Sequence, residues 1–229
     1  MRAVPQSAAC RVEGSGGDAV IDPMALHECT FEIDGHVYRD AEGRIYPSTT
    51  QIIRDVGLVD YSNVPVEILA RKAAIGADVH EITATFDREG DFDPSWLTED
   101  TTGYVAAWKR FRMESGYEMK EIERTGLVEV HGMKWGMTLD RIAISGKEEH
   151  LLELKTTSAK HPSWGIQLAS YEIGYTGRAR CGHLRRTAVQ LKPNGSYAVH
   201  AYDDARDADI FLAALALTNW KNHHGLQAA

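Results

Sequence analysis

The chain has 229 residues, 43% hydrophobic and 25% charged, an ordinary globular composition long enough for one well-buried core. Its 25 Lys and Arg against 33 Asp and Glu give a formal net charge of −8, which excludes binding of nucleic acid through a polybasic coat but not through a local basic strip. Three cysteines (Cys10, Cys29, Cys181) are too few and too scattered for a disulfide framework, and no run approaches the ~20 apolar residues of a membrane span, so a reducing, cytoplasmic setting is expected.

Residues 1–27 mix small residues and glycine without periodicity and read as a flexible tail, with a single domain over 28–229. TFEIDGHVYRDAEGRIY, from Thr30 to Tyr46, suggests short strands around turns at Asp34-Gly35 and Ala41-Glu42-Gly43. Ser48 is placed to cap a short helix in TTQIIRDVGL. A longer helix from about Val66 to Phe86 carries Ile75, Val79, Ile82 and Phe86 on one stripe. After a loop at Gly90 and Pro94, TTGYVAAWKRFRMES reads as another helix, with Tyr104, Trp108 and Phe111 on one side.

LVEVH, GMTLDRIAIS and HLLELKTT then read as three strands, mostly antiparallel, broken at Gly132 and Gly146-Lys147. SWGIQLASYEIGYTG returns to helix. RTAVQLKPNGSYAVHAYDD is a hairpin about Pro193-Asn194-Gly195, and ADIFLAALALTNWKNHH closes the chain as a helix after the acidic, turn-like DDARDAD. The order predicts an α/β (α+β) architecture.

Asp140 lies in an apolar, strand-like run, where an unpaired carboxylate would cost several kcal/mol. It reads either as a strand-end acid paired with Arg141 or water, or as part of a site. Glu153 and Lys155, two apart, emerge on one face of the next strand, while Leu152 and Leu154 point to the other. Two carboxylates from neighbouring strands can converge on one hard divalent cation such as Mg²⁺ or Mn²⁺. A lysine beside them can orient a water or offset charge on a phosphoryl oxygen.

GMTLDR followed by ELK resembles the PD-(D/E)xK nuclease superfamily. Gln167 and Tyr171, four apart on one helical face, match the QxxxY motif of the branch that includes RecB-type, Cas4-type and phage exonucleases. His80 in AIGADVHEI resembles that branch's metal-binding histidine, and YPSTTQIIRDVGL resembles the opening of several such nucleases. The resemblance runs from about Tyr46 to Tyr202. It implies a restriction-endonuclease-like core, a mixed sheet flanked by helices, and a Mg²⁺- or Mn²⁺-dependent deoxyribonuclease with one or two ions. An exonuclease processing linear ends or single strands in repair or recombination is the first reading. An endonuclease and a non-catalytic nucleic-acid-binding module are the alternatives.

Carried over residue by residue, the resemblance makes His80, Asp140, Glu153 and the Leu154 carbonyl the metal ligands. Asp140, Glu153, Lys155, Gln167 and Tyr171 become the catalytic set. The cysteines do not match the four-thiolate iron–sulfur site of some members, so no cluster is expected. Lys160, Arg178, Arg180, Arg185 and Arg186, with His183 and Lys192 nearby, form a candidate strip for a DNA backbone, and Trp135, Trp164 and Tyr197 are candidates to stack on bases. A recombination or single-strand-binding protein and a second copy of the chain are the partners such an enzyme would have; no membrane is expected.

Overall fold

The computed structural model describes residues 27–32 and 37–226, so residues 1–26 of the expected tail and the Asp34-Gly35 turn lie outside the described residues, while His27 bridges to Leu127. Three short strands come first: β1 (Thr30–Glu32), β2 (Val37–Arg39) and β3 (Ile45–Tyr46), joined as an antiparallel sheet in that order. Helix α1 (Thr49–Asp55) follows, and Ser48 caps it with a reciprocal box in which Gln51 reaches back to the Ser48 N–H. Then come α2 (Val66–Glu89) and α3 (Glu99–Ser115), each ended by a left-handed glycine, Gly90 and Gly116.

The main sheet has five strands: β4 (Glu118–Val130), β5 (Met133–Ser145), β6 (Glu148–Lys155), β7 (Arg185–Leu191) and β8 (Tyr197–Ala201), adjacent in chain order. All neighbours are antiparallel except β6 and β7, which are parallel. A parallel pair cannot close through a tight turn, and the crossover here is α4 (Ser163–Thr176). The β4–β5 turn at His131-Gly132 has both residues at left-handed φ, the twist that two-residue hairpins favour. The last helix, α5 (Arg206–His223), begins inside the acidic stretch that reads as a turn: Asp207 and Asp209 occupy its first turn, where the helix dipole favours them.

Helices cover both faces of the sheet. On one side α1, α4 and α5 pack over Leu139, Leu151 and Ala188; on the other, α2 and α3 pack over Leu152, Leu154 and Val189. Every residue from Ser163 to Gly174 in α4 is buried, as expected of a helix apolar on most of its circumference. Close approach is secured by Gly174, where a Cβ would stand 2.4 Å from Met137 Sδ of β5. The face bearing Glu153 and Lys155 is therefore roofed by α4.

The small sheet docks through Tyr38, whose ring lies on Gly136 of β5 and whose hydroxyl meets Thr138 at 3.0 Å. Among the described residues, no helix is long and apolar enough to cross a membrane.

Candidate active site

Helix α2 carries a polar stripe inside its apolar face. His80, Thr83 and Asp87 recur at i, i+3 and i+7, one line along the helix, and turn toward β4 and β5. Arg141 of β5 answers them. Its side chain is 0% exposed, and its guanidinium donates to Asp87 Oδ2 at 2.7 Å, Glu123 Oε1 at 2.8 Å, Thr83 Oγ1 at 3.3 Å and the Asp140 carbonyl at 2.8 Å. Arg112 and the Trp108 indole N–H complete the shell of Asp87. A buried charge pair is tolerable only when its remaining donors and acceptors are met, and here they are.

Next to this network lies the first group of candidate ligands. Asp140 Oδ1 stands 3.3 Å from His80 Nδ1, and Glu123 Oε1 stands 3.7 Å from the same nitrogen. One donor atom from each of His80, Glu123 and Asp140 lies within 4.8 Å of the others. Asp140 is held from its far side by the Leu154 N–H, which donates to Oδ2 at 2.6 Å. Glu123 reaches the cluster by leaving the extended conformation: its φ is +51°, between the register pairs Ile122–Arg141 and Arg124–Leu139. A left-handed non-glycine residue in mid-strand costs on the order of 1–3 kcal/mol, so the surroundings impose it.

The second group lies on β6 and α4. Glu153 Oε1 accepts from Lys155 Nζ and from Gln167 Nε2, each at 2.8 Å. Lys155 also donates to Gln167 Oε1 at 2.7 Å, and Gln167 Nε2 donates to the Tyr171 hydroxyl at 2.9 Å. The four-residue spacing of Gln167 and Tyr171 thus places an amide and a phenol in one line over the Glu153–Lys155 pair.

Burial and mutual repulsion set the charges. Burial, then the charge of Asp140, pushes Glu153 up to about 7. Asp140 is also buried, yet the charges of His80 and Arg141 and the Leu154 N–H hold it below the usual carboxylate range. Burial pulls His80 down, but Asp140 and Glu123 outweigh it and hold the imidazole up at about 10. Nδ1 thus faces two carboxylates, and a metal ion that uses it as a ligand must compete with a proton there.

The residues fit a divalent cation on a further observation. Glu153 Oε2 is buried and has no hydrogen-bond partner. Such an orphaned acceptor costs about 1–3 kcal/mol, more when charged, unless something absent from the apoprotein satisfies it. Carboxylate oxygens with one imidazole suit a hard or borderline ion.

The candidate DNA-binding residues divide. Arg186 is buried, not superficial: its guanidinium pairs with Glu172 and Asp207 and bonds the Gly165 and Asp204 carbonyls, so it cannot meet a phosphate. Consecutive strand residues face opposite sides, and Arg186 is the inward partner of exposed Arg185. Arg185 pairs with Glu148 and is in register with His150, five residues and about 16 Å along β6 from Lys155. Arg178 and Arg180 are exposed in the segment between α4 and β7, Arg178 against His183 at 3.0 Å. That segment is anchored by Glu172, which accepts from the N–H groups of Gly182, His183 and Leu184. Lys160 is exposed elsewhere, between β6 and α4. Trp135 and Trp164 are buried, and Tyr197 packs on Phe111 and bonds Glu114, so the two tryptophans offer no open ring face to a base.

Sequence reasoning misses Glu123 and Asp87. The signal for Asp87 is its place in the polar stripe with His80 and Thr83. Glu123 sits in the charged run EMKEIER, and its unusual φ has no glycine or asparagine to mark it.

No protein-family model matches the chain, and no curated protein matches it. Among solved structures it is similar to a protein assigned as an exonuclease from Eubacterium rectale, at 13% identity and TM-score 0.45, over 68% of each chain. It is also similar to an alkaline exonuclease from Laribacter hongkongensis, at 15% identity and TM-score 0.36, over 79% of this chain and 93% of the other.

Proposed function

We propose that the protein is a divalent-metal-dependent phosphodiester hydrolase acting on DNA, an exonuclease working from linear ends. The observation that carries this reading is the buried Glu153 oxygen without a partner, next to a His80–Glu123–Asp140 cluster whose donor atoms lie within 4.8 Å. His80, Glu123, Asp140 and Glu153, with the Leu154 carbonyl, would hold Mg²⁺ or Mn²⁺. Such an ion lowers the pKa of a bound water and offsets charge on the scissile phosphate.

The chain's own groups do the rest. Lys155 Nζ, held between Glu153 and Gln167, is a cation in fixed position for the attacking water or a phosphoryl oxygen. Gln167 fixes Lys155 and Glu153 together, and Tyr171 fixes Gln167. Arg141 holds Glu123 toward His80 and grips the backbone at Asp140.

The test compares linear with covalently closed DNA in Mg²⁺ or Mn²⁺. Loss of linear DNA with closed circles intact is expected. Cutting of closed circles would make the protein an endonuclease, and binding without cleavage of either would overturn the hydrolase reading.

A further inference from the structure

Lys155 does not stand alone at its end of the sheet. Across the strands, Glu153 is in register with Ala188 and Ala188 with His200; Lys155 is in register with Gln190 and Gln190 with Ala198. Register partners share a face, so Glu153, Lys155, Gln190 and His200 lie on the side covered by α4. His200, on edge strand β8, is two strand spacings, about 10 Å, from the Glu153–Lys155 pair.

The gap between them is bridged. The Trp164 ring of α4 lies 5.8 Å from Lys155 Nζ and 6.0 Å from the His200 ring. His200 Nε2 meets Gln190 Oε1 at 3.1 Å, and Gln190 Nε2 donates to the Thr157 carbonyl. This ties down the segment that carries Lys160. Lys160 and Lys192 are both exposed, and Lys160 lies 5.1 Å over the Tyr202 ring. Lys192 lies two residues beyond Gln190 and Tyr202 two residues beyond His200, so the two ammonium groups flank the histidine along β7 and β8; burial first, then their charges, pull the His200 imidazole down.

Neither lysine pairs with a carboxylate among the described residues, although Arg185, Arg206, Arg44, Arg71 and Lys120 all do. In a chain of net charge −8, both cations stand exposed beside a histidine. They share one edge, and the path from that edge leads over Trp164 to Lys155.

We propose that Lys160, Lys192 and His200 form a strip for the phosphate backbone of a nucleic-acid strand, leading it past the N-terminal end of α4 toward Lys155. This assignment rests on the hydrolase reading and names the path its substrate takes. It replaces the arginine set, of which Arg185 lies on the other face of the sheet, in register with His150. Trp164 is the packed support under the strip, and the strip touches phosphate, which makes it indifferent to base sequence.

The experiment measures binding of a fluorescent single-stranded oligonucleotide by anisotropy, in excess chelator so that nothing is cut, over a range of salt concentrations. The wild type is compared with the double variant Lys160→Ala/Lys192→Ala and with Arg178→Ala/Arg185→Ala. Each phosphate that a cation neutralises on a single strand contributes about 0.7 to the salt slope, so the lysine variant should show a slope shallower by roughly 1.4 and bind at least tenfold more weakly. The arginine variant should keep the wild-type slope. All four side chains are exposed, and thermal melting confirms that both variants fold.

An unchanged slope in the lysine variant, a shallower slope in the arginine variant instead, or a wild type that binds no strand would each overturn the strip. Cleavage of linear DNA in Mg²⁺ or Mn²⁺ is scored separately. Cleavage with an unaltered lysine slope removes the strip and leaves the hydrolase. The expected slope change in a protein that cleaves nothing supports the strip and removes the hydrolase.

Discussion

Lys155 is held by two hydrogen bonds under a helix, and that constraint gives its substitution a particular signature. Its side chain is 15% exposed and is fixed at both ends of the Glu153–Gln167 bridge. Lys155→Ala should cut single-turnover cleavage ~10²–10³-fold, the usual cost of losing a preorganised charge. Metal affinity by calorimetry should be maintained or tightened, because the variant removes a competing cation from Glu153. Near-normal cleavage would return Lys155 to a structural role.

Arg141 acts at one remove. Arg141→Met leaves Asp87, which is fully buried, and Glu123, which is partly so, without their shared partner, and breaking the buried Arg141–Asp87 pair costs about 3–5 kcal/mol. Arg185→Ala breaks an exposed pair with Glu148 and should cost ~0–1 kcal/mol. Urea unfolding of the two variants checks the contrast, and equal effects would show that the Arg141 network does not hold the fold together. In the sequence the two arginines look alike. That Glu153 and Lys155 share a strand face, and Gln167 and Tyr171 a helix face, is legible there because each pair follows a strand or helix period. Glu123 and the burial of Arg186 are not, since both depend on what a neighbouring strand or helix brings near.

At the scale of elements, the hairpins and most helices follow from local chemistry: a capping box at Ser48, glycine after α2 and α3, Asn194-Gly195 between β7 and β8. The sequence marks β4 only from Leu127 onward, because Glu118 to Arg124 carries five charged residues and little apolar alternation. Its pairing with β5 along nearly the whole length makes it a strand. The face of Lys155 is closed by something equally remote: nothing local to ELK tells that α4 folds back over it.

Docking of the small sheet is also illegible in the sequence, since it depends on Gly136 leaving room for Tyr38. A Cβ at 136 would stand 2.0 Å from the Tyr38 ring. Gly136→Ala should therefore destabilise by about 1–3 kcal/mol. Adding Tyr38→Ala should cost less in that background than in the wild type, because the clash has already been incurred. Additive free energies in the double-mutant cycle would contradict this packing.

Across the whole molecule, charge is distributed as the proposed cation and the proposed polyanion would require. The four carboxylates of the candidate site, Asp87, Glu123, Asp140 and Glu153, lie under α2 and α4, where Arg141, Arg112 and Lys155 offset part of their charge. Two exposed lysines, Lys160 and Lys192, flank the β8 edge. A bound divalent ion would bring the pocket closer to neutrality, joining the two regions into one surface that a phosphate can approach.

Hydrolysis by such a site depends on the ion. The most direct test strips the protein with chelator, removes the chelator, and follows single-turnover hydrolysis of an end-labelled linear duplex as free Mg²⁺ or Mn²⁺ is restored, for the wild type and for Asp140→Asn. No hydrolysis is expected in the stripped wild type, with a saturable return as ion is added. At the same ion concentrations Asp140→Asn should fall at least a hundredfold below the wild type, since the Oδ1 that faces His80 and the Oδ2 held by Leu154 can no longer both accept as a carboxylate. Undiminished hydrolysis by the stripped protein in excess chelator would contradict a metal-dependent site.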